Sequence, residues 1–211
     1  MTVVGPVARK RGRPPKALAG RSETRSALIR AGVAILTQKG FSATGLDEIL
    51  RSVKVPKGSF YHYFDSKDAF GIELIDAYNE YFVRKLDHFL LNKERKPVDR
   101  LRDFVCDAEA GMKRYGFTRG CLVGNLGQEM GSLPESFRQQ ITSVFSDWQV
   151  RTAECLSEAR ANGDIPDTVN CAQIASFFWI GWEGAVLRAK LEKSEQPLRI
   201  FSEVFFRLLE R

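Results

Sequence analysis

Apolar residues recur along the chain at helical spacing, with no sustained alternation of the kind a half-buried strand requires. From Ser22 onward, Leu28, Ala31, Ile35 and Leu36 make one stripe, which ends where Gly40 follows Lys39. Thr44 stands where a second helix would be capped, with Asp47 three residues on as its capping-box partner, and Ile49, Leu50 and Val53 turn inward. A turn at Pro56 leads into a short aromatic helix over residues 57–64. Phe60 and Phe64 fall one turn apart on one face, Gly58 and His62 point the opposite way, and Ser59, Tyr61 and Tyr63 flank them. Ser66 opens a fourth helix with Asp68 in its first turn, and Phe70, Leu74, Tyr78, Phe82 and Phe89 carry a stripe to about Leu91. Beyond a polar break at 93–97, further helices are expected over about 98–115, 135–162 and 170–192, with a last one after Gln196-Pro197. The class is all-α. A three-helix head with a helix-turn-helix precedes a larger helical body.

The short helix has an apolar back and a front of Lys, Ser, Tyr and His. Such a face suits a DNA major groove and not catalysis, because it holds neither an activated nucleophile nor paired carboxylates. The stretch TGLDEILRSVKVPKGSFYHYFDSKDAF resembles the N-terminal DNA-binding domain of the TetR family of bacterial transcriptional repressors. That resemblance implies a homodimer whose paired recognition helices read a palindromic double-stranded operator and let go when a small effector binds the body. Helix geometry assigns Lys57, Gly58, Ser59, Tyr61 and His62 to base edges or nearby backbone, and Thr44, Tyr63 and Lys67 to phosphates. Capping alone would explain Thr44 equally well.

Charge sharpens the picture. The chain carries a formal net charge of +6. Residues 1–30 hold eight Lys and Arg against the single acid Glu23, a surplus of seven, which leaves the rest at −1. The basicity therefore sits beside the DNA-reading motif, where a polyanion would be met. Residues 1–20 are rich in Gly, Pro and basic residues and are expected to be a disordered arm. Within them, Arg11-Gly12-Arg13-Pro14 resembles the core of an AT-hook, so Arg11 and Arg13 are candidates for an A·T-rich minor groove; a non-specific electrostatic tail is the alternative. Residues 21–66 would then form the DNA-binding domain and 67–211 the effector-binding and dimerisation domain.

In the body, RGCLVGNLGQEMG and FWIGWEGAVLRAKLE set polar groups among apolar ones. Such groups need partners, and a ligand is one candidate. Both segments resemble a TetR subgroup that includes an acrylate-utilisation repressor and an N-ethylmaleimide-responsive electrophile sensor. In the latter a Cys in a "GCL" motif and a Lys in an "AK" motif act together in sensing, and these fall on Cys121 and Lys190. The candidate effector residues are Cys121, Asn125, Gln128, Glu129, Trp179, Trp182, Glu183 and Lys190. An ammonium beside Cys121 would lower its thiol pKa and favour attack on a Michael acceptor, or Lys190 could pair a carboxylate ligand. A small buried hydrophobe is the plain alternative for Cys121.

By the same resemblance, the helices near 135–162 and 170–192 of two subunits would pack as a four-helix bundle. A thiol-oxidation sensor and an effector-independent DNA-binding protein are the other readings. An enzyme is not expected, since the only histidines, His62 and His88, show no base–orienter pairing. Four scattered cysteines without metal-like spacing, no signal segment and no long apolar run imply a cytoplasmic protein with reduced thiols, no cofactor and no metal.

Overall fold

The computed structural model describes residues 16–210, with side chains from Ser22 onward; the expected contacts of Arg11 and Arg13 lie outside the described residues. Nine α-helices, and no strand, occur among them: α1 (Lys16–Lys39), α2 (Leu46–Ser52), α3 (Lys57–Phe60), α4 (Lys67–Leu90), α5 (Pro97–Arg114), α6 (Leu122–Gln128), α7 (Glu135–Ala161), α8 (Cys171–Glu192) and α9 (Gln196–Arg207). The first helix begins at Lys16 rather than Ser22, so it extends into the segment expected to be disordered.

The head is built around Leu28, Leu36, Ile49, Leu50, Phe60, Phe64, Phe70 and Leu74, all buried. Two expectations for this region are corrected. Thr44 does not cap α2; Gly45 occupies the N-cap position, and the Thr44 hydroxyl donates backward to the Gly40 carbonyl at 2.6 Å. A Thr with an acid three residues on looks the same in sequence whichever way its hydroxyl turns. The aromatic helix is also shorter than 57–64, a single turn followed by hydrogen-bonded turns in which the Phe64 amide reaches Phe60 O at 3.1 Å. These turns still bring Phe60 and Phe64 together, with ring centroids 5.2 Å apart. Phe70 closes on Phe64 at 4.5 Å and anchors α3 to the start of α4.

Helix α4 runs through both halves. Its Ser66 cap accepts from the Ala69 amide at 3.0 Å, Phe70 and Leu74 sit in the head, and Tyr78 and Leu86 sit in the body. In the body Phe82, Trp148 and Trp179 form a column with successive centroid distances of 4.2 and 5.0 Å. The buried indole N–H groups are satisfied, Trp148 donating to Asn79 Oδ1 (2.9 Å) and Trp179 to Thr152 Oγ1 (3.0 Å). This disposes of polar atoms that would otherwise be costly in a core.

Phe137, Val144, Trp148 and Leu156 turn the apolar side of α7 into the body. Exposed apolar residues include Val150 on α7 and, on α8 and through the end of α9, Phe177, Ile180, Leu191, Ile200, Val204 and Leu208. Helices α8 and α9 pack closely because Gly181 leaves room for the Phe201 ring. No helix among the described residues is long and apolar enough to cross a membrane.

Candidate DNA-reading face and effector cavity

Pro56, in extended backbone at φ −62° and ψ 144°, fixes the entry of α3. The turn before it is closed by the Val55 amide on Leu50 O at 3.0 Å, with Lys54 in the left-handed region at φ 57°. With Phe60 buried behind it, the helix leaves Lys57, Gly58, Tyr61 and His62 exposed, and Ser59 and Tyr63 half-buried at the flanks. Space beyond Gly58 is open, so a Cβ there would meet nothing. Lys57 Nζ lies 3.2 Å from Asp47. Of the residues assigned to phosphates, Thr44 is placed otherwise. Thr44 is 1 % exposed, which withdraws its hydroxyl from any external anion. Lys67 is half-buried, donates to Phe41 O at 3.3 Å and lies over the Phe41 ring at 4.5 Å.

A cavity of about 590 Å³ lies between head and body, in the size range of sites for small organic ligands. Val33 and Ala34 of α1, Tyr78 and Phe82 of α4, Met112 of α5 and Trp182 of α8 give it a largely apolar wall. Cys121 and Glu183 supply the chemistry. Cys121 is the N-cap of α6, its sulfur accepting from the Gly124 amide at 3.3 Å. The Glu183 carboxyl and the Tyr78 hydroxyl stand beside it at the cavity wall. Gly124 permits this arrangement, because a Cβ there would collide with the Glu183 carboxylate. Burial pushes the Cys121 thiol well up, and the neighbouring Glu183 pushes it further. Burial likewise raises the Glu183 carboxyl to about 7, with neighbouring Cys121 drawing it down. The expectation of a thiol lowered by an ammonium is thus reversed.

Lys190 is committed elsewhere. Its Nζ donates to Asn125 Oδ1 at 3.1 Å and to the carbonyls of Gln38 and Thr37 at 3.4 and 3.5 Å, and burial lowers its pKa. Asn125 Nδ2 in turn donates to Leu36 O (2.9 Å) and Thr37 O (3.0 Å), and the Gly120 amide reaches Thr37 O at 2.9 Å. These are the carbonyls that a helix C-terminus leaves open, so the body caps α1. Glu129 completes the grip by accepting from the amides of Phe41 (3.0 Å) and Ser42 (2.7 Å). Of the eight residues expected around an effector, Cys121, Trp182 and Glu183 line the cavity. Asn125, Glu129 and Lys190 instead bind the head to the body. Trp179 is core, and Gln128 is exposed on α6. Sequence reasoning missed Tyr78 as a partner of Cys121, its position in the stripe of α4 marking it only as apolar.

The fold and these two surfaces define a two-part helical DNA-binding regulator. Residues 28–74 match the bacterial regulatory proteins, tetR family, and residues 97–205 match the tetracyclin repressor-like C-terminal domain. The chain belongs to the TetR family. It is 52% identical over 199 residues to the transcriptional regulator AcuR of Cereibacter sphaeroides, covering 94% of this chain and 89% of that protein. It is 31% identical over 176 residues to the transcriptional repressor NemR of Escherichia coli K12, covering 83% of this chain and 88% of the relative. A crystal structure of regulatory protein TetR from Rhodobacter sphaeroides superposes with a TM-score of 0.85 at 53% identity, covering 87% of this chain and 97% of the other. These relatives are transcriptional regulators, and this chain is a regulator rather than an enzyme.

Proposed function

We propose that the chain is a homodimeric repressor that leaves a palindromic operator when a small electrophile, or an unsaturated carboxylate such as acrylate, enters the cavity. One observation carries the reading. The cavity wall at Gly120 and Cys121 is continuous with the segment through Asn125 and Glu129 that holds the end of α1. A ligand that displaces the Cys121 side of α6 therefore pulls on the head directly. The NemR relative is a repressor, and a cysteine at the wall of a largely apolar cavity suits a Michael acceptor.

In this reading Lys57, Gly58, Ser59, Tyr61 and His62 meet base edges or nearby backbone, Tyr63 meets phosphate, and the arm with Arg11 and Arg13 adds minor-groove contact. Residues 21–66 act as the head and 67–211 as the body of a cytoplasmic protein, with α4 passing signals between them. The exposed apolar residues of α8 and α9 form the dimer surface. Fluorescence anisotropy with a palindrome from upstream of the gene tests this. Acrylate or N-ethylmaleimide should release the wild-type protein; binding that ignores both compounds would refute the effector reading. Equal release of Cys121→Ser would refute its covalent part.

A further inference from the structure

We propose that Glu183 is the proton acceptor that activates Cys121 for covalent capture of an α,β-unsaturated carbonyl compound, a task for which Lys190 is not placed. This rests on the reading of the cavity as the effector site.

A buried thiol beside a carboxylate does not exist as a ready thiolate, so attack requires the proton to leave as the carbon–sulfur bond forms. Glu183 stands beside that thiol, since the Cβ position of Gly124 meets both the Glu183 carboxylate and Cys121 Cβ, and both residues line the same cavity. Among the described residues, no cation pairs with its carboxylate. On α4, Lys85 pairs with Asp107 and Arg84 approaches Glu80 at 3.9 Å. Arg119, before Cys121, lies over the ring of Tyr115, the residue after α5, at 4.0 Å. Lys190 is spent on Asn125 and the α1 carbonyls, and Arg30 of α1 is exposed. Tyr78, Tyr81 and Tyr115 are the remaining titratable groups at the wall, and Tyr78 stands beside the sulfur.

The step balances within the site. The sulfur bonds the β-carbon, and the C=C π pair moves through the α-carbon onto the carbonyl oxygen. The thiol proton passes to Glu183 and then to the α-carbon. The product is a thioether, with the carboxylate restored.

Full-length protein is treated with N-ethylmaleimide from pH 5.5 to 9, the Cys121 adduct is followed by peptide mass, and operator release by acrylate is measured in parallel. The wild-type rate should rise and then level near neutrality. In Glu183→Gln it should fall at least tenfold at pH 7.5 and climb without levelling. Glu183→Asp, which keeps the charge but withdraws it, should fall between them and serves alone if the Gln variant fails to bind operator. Glu183 variants that label as fast as wild type, or a wild-type Cys121 that never labels, overturn the proposal. If wild type still releases its operator in either case, the cavity reading survives; if acrylate releases nothing, that reading fails separately.

Discussion

Removal of the Glu129 carboxylate tests the grip between body and head. In Glu129→Ala the amides of Phe41 and Ser42 lose acceptors at 3.0 and 2.7 Å. A hydrogen bond to a charged group is worth about 1.5–3 kcal/mol. The Ser42 bond is solvent-exposed and the Phe41 bond half-buried, so the lower end applies and the pair should total about 2–3 kcal/mol. For a chain of this length that corresponds to a fall in Tm of about 4–10 °C. Gly40 adds an independent probe. It has φ +80°, and a Cβ there would strike the same carboxylate, so Gly40→Ala should weaken the grip while adding backbone strain. The assays are thermal unfolding and operator anisotropy titrated with acrylate. Glu129→Ala should require on the order of tenfold more acrylate for release, because about 1.4 kcal/mol of lost coupling is a factor of ten. A variant with wild-type Tm and wild-type acrylate response would refute the grip as the route of the signal.

Glu183 predicts a pH effect on stability. A carboxyl raised to about 7 when folded, against about 4.3 unfolded, is fully tolerated below the lower value and costs stability as pH rises through the upper one. Glu183→Gln escapes that loss, so in denaturant titrations it should gain on wild type between pH 5 and 8, by at most about 3 kcal/mol; a pH-independent difference would refute the burial argument. Phe60→Ala should cost about 3–5 kcal/mol in urea unfolding, since Phe60 is 0 % exposed, whereas His62→Ala should leave stability unchanged and alter base preference in a panel of operator variants. Lys57→Ala should reduce the slope of log K against log salt by about one. Ile180→Glu with Leu191→Glu places charges at two sites that are each 70% exposed, and should yield monomers by light scattering that still fold.

What could be read from the chain alone was whatever depends on neighbours within a turn or two. The periods of Leu28–Leu36 and Phe70–Phe82, the Ser66 cap and the aromatic pair Phe60–Phe64 are local, so the helices and the DNA-reading head followed from them. Helix α6 did not. Its glycines argue against a helix of seven residues, and it persists because Leu122, Val123 and Leu126 are buried and Asn125 is bonded to α1.

The candidate site divides along the same line. Its residue types were visible in two polar-studded segments, but not their partners. Lys190 and Asn125 are 65 positions apart, and their hydrogen bond is a product of helix packing. Cys121 looked like a thiol awaiting an ammonium. The fold instead surrounds it with a carboxyl from α8 and a phenol from α4, because Gly124 lets α6 approach Glu183. Sequence therefore determined the family, the helices and the reading head, all of which rest on short-range pattern. Only the tertiary structure decided which charge faces the thiol, because electrostatic environment is set by distance through space and not along the chain.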